Sequence, residues 1–311
     1  MFRNKDYILT IFEEGGFSKA AERLYISQPS LSASVKRIED KISVPLFDRS
    51  TTPVSLTEAG REYIRYALEI EEKERDFERY ISDYTKLLTG TVIVGGSSMF
   101  SSFILPLEIW DFNQKYPDIK FEIIEDNTKN LLQKLSLGTL DIIIDNAIIK
   151  DDNISSAVYT SEILLLAVPM GFEINEKLKN YRMTAKEVKE GKHHSYGFGV
   201  GLKAFEDYPF ILLKPENDTG KRAKELFKKH DMNPEIIFCL EQQVTAYNIS
   251  STGMGISFVS DTLIKYIDSE PALYFYKISD KEISRNIYFY RKNNRYLSRA
   301  CQEFIDFTSA K

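Results

Sequence analysis

Cysteine is scarce in this 311-residue chain: Cys239 and Cys301 stand far apart and in no CxxC spacing. A disulfide framework and a cysteine zinc site are therefore not expected, and free buried thiols are the simpler reading. Long apolar runs are also missing. The N-terminus carries Arg3, Lys5 and Asp6 with no uninterrupted hydrophobic stretch, so neither a signal peptide nor a membrane span is expected and the cytoplasm is the expected compartment. The histidines are His193, His194 and His230. They form no HExxH or similar spacing, and two adjacent histidines cannot both face one site from a regular strand, so no metal is expected. GxSxG, P-loop and GxGxxG motifs are absent. Gly197, Gly199 and Gly201 alternate beside Phe198 without the strand-to-helix setting that phosphate binding needs, and read as a flexible segment lining a cleft. Carboxylates are abundant, yet no pair among them is singled out for acid–base work, so the expectation is a protein that is not an enzyme and uses no cofactor. Positive charge is not in excess either. The net charge is −5, which argues against a chain that coats nucleic acid through a broad basic field.

What is present is the balance of an ordinary globular protein, 43% hydrophobic with 28% charged residues, in a chain long enough for two or three folding units. Tyr7, Ile8, Ile11 and Phe12 recur at helical spacing from Asn4 to Glu14, and Gly15-Gly16 stops that helix. Ser18 reads as the cap of a short second helix with Ala20, Ala21 and Leu24 facing inward. Ser27 caps a third, with Pro29 in its first turn and a buried stripe of Leu31, Val35 and Ile38, running to about Lys41. Its opposite face carries Gln28, Ser30, Ser32, Ser34, Lys36 and Arg37, which is donor-rich and only modestly charged. Leu46-Phe47-Asp48-Arg49, the tip Ser50-Thr51-Thr52-Pro53 and Val54-Ser55-Leu56 then read as a short hairpin, a wing.

Thr57 begins a capping signal, and from Glu58 to about Leu88 the sequence predicts one long helix. Tyr63, Ile70, Phe77 and Tyr84 fall seven apart, with Ala67, Ile81 and Leu88 completing the seam and Glu74 interrupting it, a pattern that implies a partner helix. Thr89-Gly90 ends it. An alternating α/β region follows, with strands expected at Thr91 to Val94, Ile119 to Glu125, Leu140 to Ile144, Ile163 to Val168, Phe210 to Leu213, Ile236 to Leu240, Ile256 to Val259, Tyr274 to Tyr276 and Asn286 to Tyr290, and a closing helix from about Ser298 to Phe307.

Several separated motifs resemble the LysR-type transcriptional regulators: Phe17-Ser18-Lys19-Ala20-Ala21-Glu22-Arg23-Leu24, Ser27-Gln28-Pro29-Ser30-Leu31-Ser32, Pro45-Leu46-Phe47-Asp48-Arg49 and Leu56-Thr57-Glu58-Ala59-Gly60. Leu105-Pro106, Tyr116-Pro117, Leu140-Asp141, Gly253-Met254-Gly255-Ile256 and the strand from Arg285 to Tyr290 carry a weaker likeness into the second half. The resemblance implies an α/β protein with an N-terminal winged helix-turn-helix (1–58), a linker and dimerisation helix (59–89), and a two-lobed effector domain like the periplasmic binding proteins (90–311). Lobe I is expected over about 90–161 and 268–311, lobe II over about 162–267.

In such a protein the third helix enters the major groove of double-stranded operator DNA, where Gln28 and the serines meet base edges and Lys36, Arg37 and Arg49 take phosphates. The resemblance places DNA contacts at Gln28, Pro29, Ser32, Arg49 and Pro53. Many relatives have Arg at the position of Ala33 and a basic residue near Thr52, so this chain is expected to read a different operator or to bind less tightly. In the second half, open α/β sheets bind ligands beyond the carboxyl ends of their strands. Ser97 and Ser98 follow strand one, Asn127 and Thr128 strand two, and Asp145-Asn146 strand three, and these loop tips should converge with Thr219 and Gln242-Gln243 from the second lobe. Asp145 in that cleft disfavours a simple dicarboxylate and favours an amine or amino acid, unless it pairs with a lysine; relatives with hydroxyl clusters here bind small organic acids. The expected assembly is a homodimer or homotetramer whose effector alters DNA bend and contact with RNA polymerase. The rivals are an enzyme or solute-binding protein with the same cleft, which leaves the Gln28-to-Arg37 face unexplained, and a DNA-binding protein whose cleft serves only assembly.

Overall fold

The structure is a computed structural model that describes residues 2–51, 53–84, 89–195, 199–267 and 270–309. The chain divides into two compact units, Met1–Arg79 and Tyr80–Lys311. Thr52, Leu88, Gly197 and Phe198, each singled out above, lie outside the described residues.

The first unit opens with α1 (Lys5–Glu14), which stops where Gly15 takes a left-handed conformation at φ 66° that costs glycine little. α2 (Phe17–Arg23) is preceded by Gly16 in extended backbone, so Ser18 is not the cap that the sequence suggested. The Phe17 ring packs edge-on against Phe47 at 5.5 Å, and this packing at the edge of the core accompanies a helix start two residues earlier than a Ser18 cap would give. α3 (Gln28–Ile42) is capped as expected, Ser27 Oγ accepting from the Ser30 N–H, and Leu31, Val35 and Ile38 face inward. The wing is β1 (Phe47–Asp48) paired antiparallel with β2 (Ser55–Leu56). These elements close over Ile8, Ile11, Ala20, Leu31, Val35 and Leu46.

α4 (Glu58–Tyr84) begins where Thr57 Oγ1 accepts from the Gly60 N–H at 3.0 Å. Gly60 is required there: a Cβ on it would stand 2.0 Å from the Leu46 carbonyl oxygen. The expected seam divides in two. Tyr63 and Ala67 are buried in the core of their own unit, whereas Phe77, Ile81 and Tyr84 are 64%, 44% and 74% exposed. Amphipathic burial within the chain therefore accounts for the first half of the pattern and leaves the second half bare.

The second unit holds β3 (Gly90–Gly96), α5 (Leu105–Lys115), β4 (Ile119–Glu125), α6 (Thr128–Ser136), β5 (Ile142–Asp145), the long β6 (Ile154–Pro169) and short helices α7 (Ile174–Lys177), α8 (Ala185–Lys189) and α9 (Lys192–Ser195). It continues with β7 (Phe210–Leu213), α10 (Asp218–Lys229), β8 (Ile236–Leu240), α11 (Gln243–Ser251), β9 (Ile256–Ser260), α12 (Asp261–Tyr266), β10 (Leu273–Lys277), β11 (Ser284–Lys292) and α13 (Arg299–Ser309). Two sheet regions share β6. Its first part, Ile154 to Ile163, pairs with β11, which joins the parallel strands β5, β3 and β4. From Leu164 it pairs with β9 and β10, and β9 continues into parallel β7 and β8. β5, β7 and β9 are buried along their whole length, as strands covered on both faces are. β6 is far longer than the apolar run that announced it, because its first half alternates exposed and half-buried residues and so lacks a continuous hydrophobic signal.

Candidate functional site

In the first unit, Gln28, Pro29, Ser30, Lys36 and Arg37 are exposed on α3, and Ser32 is half-buried beside Gln28, whose Nε2 donates to Ser32 Oγ at 3.3 Å. Ser34 differs from expectation. It is 8% exposed, turned onto the inward stripe with Leu31 and Val35, and accepts from the Arg37 guanidinium at 3.4 Å. Arg37 also donates from Nε to the Ala33 carbonyl at 3.3 Å, so its side chain lies along the helix. Arg49, on the wing, sits 4.7 Å from the Phe17 ring centre and 3.3 Å from Glu39 Oε2. Glu39 Oε1 accepts from the backbone N–H groups of Leu46 and Phe47, which fixes the wing's root against α3. Pro53 is exposed near the wing tip, and the next residue, Val54, donates its N–H to the Gly15 carbonyl at 3.0 Å. The exposed surface is thus amide, hydroxyl and guanidinium, carried on a helix that follows a tight turn through Tyr25 at φ 56°.

Three of the expected residues of the second unit, Asn146, Thr219 and Gln243, meet around a charged pair that the sequence reading passed over. Arg285 on β11 stands directly across from Glu162 on β6, with its Nε 2.7 Å from Glu162 Oε1. Arg285 NH1 reaches Asp218 Oδ2 at 2.8 Å and Thr219 Oγ1 at 3.0 Å. Asn146 donates to the same Glu162 oxygen at 3.0 Å, and Gln243 donates to Thr219 Oγ1 at 3.4 Å. Ser260 donates to Gln243 Oε1 at 3.1 Å and approaches Met99 Sδ at 3.5 Å. Asn146, Thr219 and Gln243 are therefore brought into one hydrogen-bonded chain that crosses between the two sheet regions. Gly220 makes this possible for α10, since a Cβ there would stand 2.3 Å from the Leu213 carbonyl oxygen; its absence lets the helix start lie against the end of β7 and sets Thr219 in place.

Thr128 donates to Asp145 Oδ2 at 2.8 Å, and the Ala147 N–H donates to Asp145 Oδ1 at 2.8 Å. Burial pushes the Asp145 carboxyl above its ordinary value, against those hydrogen bonds and the field of Arg285. No lysine pairs with Asp145 among the described ion pairs. Arg285 keeps its charge despite burial, because Glu162 and Asp218 stabilise it. Ser97 and Ser98 are half-buried at the start of the helical turn that leads into α5, which is π-wound over Phe100–Ile104. Asn127 is exposed and spends its side chain on capping α6, accepting from the Asn130 N–H at 3.0 Å. A cavity of about 860 Å³ runs along α6 and the 147–151 loop, and of the expected residues only Thr128 lines it. Two buried polar atoms at the centre, Arg285 NH2 and Glu162 Oε2, have no partner among the described residues. The signal that could have found Arg285 is its register: β11 alternates inward at Arg285, Ile287 and Phe289, and a charge on an inward position has to be paired.

The two units correspond to two family matches. Residues 2–61 match the family described as "Bacterial regulatory helix-turn-helix protein, lysR family", and residues 85–180 and 196–311 match "LysR substrate binding domain". The chain belongs to the LysR family: it is a DNA-binding transcriptional regulator with an effector-binding domain, in a family of regulators rather than enzymes. Among curated proteins it is 26% identical to the HTH-type transcriptional regulator YcgK of Bacillus subtilis, covering 97% of this chain and 91% of that one. It is 29% identical to a probable RuBisCO transcriptional regulator of Synechocystis, covering 95% and 81%. Among solved structures, a full-length OxyR variant from Pseudomonas aeruginosa aligns with TM-score 0.71 at 20% identity over 99% of this chain and 94% of that one. CbnR, a LysR family transcriptional regulator, aligns with TM-score 0.69 at 20% identity over 100% and 99%. Among the described residues no helix is long and apolar enough to cross a membrane.

Proposed function

We propose that α3 reads operator DNA in the major groove through Gln28 and Ser32, flanked by Pro29 and Ser30, while Lys36, Arg37, Arg49 and the wing tip at Pro53 hold the phosphate backbone. The observation that carries this reading is the exposed amide and hydroxyl face of α3, whose donors bond mainly to their own helix. CbnR has been solved in complex with its target DNA, which supports the same mode for a chain of this fold. The bare second half of the α4 seam pairs with a second copy, so that two modules meet a dyad operator. Phe77→Glu protein should sediment as a smaller species than wild type; an unchanged sedimentation coefficient counts against pairing through α4.

The effector is a small organic acid or amino acid held where Asn146, Glu162, Thr219, Gln243 and Arg285 meet, with Ser97, Ser98, Asn127 and Thr128 on the facing loops. The unpartnered Arg285 NH2 suits a carboxylate, and the unpartnered Glu162 Oε2 suits a hydroxyl or ammonium donor. Ligand binding that favours one lobe arrangement shifts the spacing of the DNA modules and their contact with RNA polymerase. The working division is 1–58, 59–89 and 90–311, with the first lobe over about 90–161 and 268–311 and the second over about 162–267. Thermal-shift screening of carboxylates, amino acids and the amines left when their carboxylate is removed tests the site. Compounds with a carboxylate should raise the melting temperature of wild type but not of an Asn146→Ala/Thr219→Val variant; equal responses to the decarboxylated amines would contradict the assignment.

A further inference from the structure

His193 and His194 belong to neither surface described above. Successive residues on a helix point roughly 100° apart, and neighbours do not normally face each other. On α9, a single turn rather than the strand the sequence analysis assumed, their rings nevertheless meet at 4.0 Å between centroids. Both Nε2 atoms turn to one acceptor, Asp261 Oδ2, at 2.8 Å from His193 and 3.9 Å from His194. One ligand atom from each of the three residues lies within 4.8 Å of the others. Ligand atoms bound to a four-coordinate Zn2+ at about 2.0–2.2 Å stand roughly 3.4 Å apart, so small side-chain adjustments bring this set to coordination distance.

The surroundings are those of a built ligand set. Asp261 Oδ1 accepts from the Ile163 N–H at 2.9 Å and the Thr262 N–H at 2.8 Å, which fixes the carboxylate with Oδ2 facing the rings, in the way outer-shell bonds orient metal ligands. His193 is 2% exposed and its Nδ1 has no partner among the described residues. An ion that replaces the Nε2–Asp261 hydrogen bond takes the Nε2 lone pair and moves the ring proton to Nδ1, at the cost of leaving that N–H without an acceptor among the described residues. The His194 side chain is 61% exposed, which gives an entry path. The three residues line a cavity of about 460 Å³ together with Glu108 and Tyr159, room for water or a small oxygen ligand in the remaining coordination position. Two imidazoles and one carboxylate suit first-row divalent ions and discriminate against Mg2+ and Ca2+.

We propose that His193, His194 and Asp261 bind one divalent transition ion of the Zn2+ class, tying α9 to the start of α12. Because Asp261 also holds the Ile163 N–H, where β6 passes from β11 to β9, the ion is linked to the strand shared by both sheet regions. The test titrates the full-length chain, carrying Cys239→Ser to remove an exposed thiol, with Zn2+ by calorimetry and with Co2+ by visible absorption. One ion per chain should bind, with the d–d bands of four-coordinate Co2+ and a raised melting temperature, and Mg2+ should give no heat. His194→Ala, which alters an exposed side chain, should weaken Zn2+ binding at least about tenfold, whereas His230→Ala should not. Absence of saturable one-ion binding, or equal affinity in the His194→Ala protein, would overturn the assignment.

Discussion

Gln28 and Gln243 each open a helix, α3 and α11, and there the likeness ends. Gln28 is exposed and bonds to Ser32 within its own helix; Gln243 is 7% exposed and is held by Thr219 and Ser260. Arg37 and Arg285 repeat the contrast. Arg37 lies on the α3 surface, while Arg285 is 5% exposed between Glu162 and Asp218. On α3, Gln28 and Arg37 keep water as a partner and can exchange it for DNA at little cost. Gln243 and Arg285 have given up water, so each depends on its partners and a change at one is felt by the others.

The contrast makes its largest prediction at Arg285. Arg285→Met leaves Glu162 without its cation and Asp218 with Arg222 alone, and should cost about 3–5 kcal/mol in denaturant unfolding. Adding Glu162→Gln should recover part of that loss, and strict additivity would break the idea of one coupled network. On α3, Gln28→Ala/Ser32→Ala should instead leave stability within about 0.5 kcal/mol of wild type, while removing about 1–3 kcal/mol of discrimination between operator and random DNA. A smaller effect is expected at Asp145. Its folded pKa is raised by burial, so the stability it contributes is present below the ordinary aspartate value of about 3.9 and is lost as pH rises through the folded value. The melting temperature of Asp145→Asn relative to wild type should therefore climb as pH rises from 4 toward neutrality; a flat difference would mean that the carboxyl titrates normally. The smallest effect belongs to Lys36→Ala, expected to weaken binding to all DNA sequences alike and to reduce the salt slope by about 0.9, seen in anisotropy titrations at several salt concentrations.

Legibility in the sequence follows the same division. α3 could be read almost to the residue because its signals are local: a serine cap, a proline in the first turn and an apolar stripe three and four residues apart. The parallel strands were legible as short apolar runs. What escaped is what depends on residues distant in sequence. Arg285 and Glu162 are 123 residues apart, and only the register of β11 on β6 makes them partners. Ser34 looked like a surface hydroxyl until packing turned it inward, and Ser18 looked like a cap although the helix begins at Phe17, whose ring packs on Phe47. The α4 seam was read as one interface although its first half closes the core of its own unit. Adjacent histidines were dismissed on the geometry of a strand, and a helical turn brings both to one carboxylate.

The most direct test of the regulator account is a binding titration of the intact protein on DNA from upstream of its own gene and on a random fragment, repeated with Gln28→Ala/Ser32→Ala across salt concentrations. Wild type should prefer the upstream DNA and the variant should lose that preference, with the salt slope of its residual binding unchanged. Equal preference in both proteins, with both folded and of the same oligomeric size, would contradict the assignment of sequence reading to the exposed face of α3.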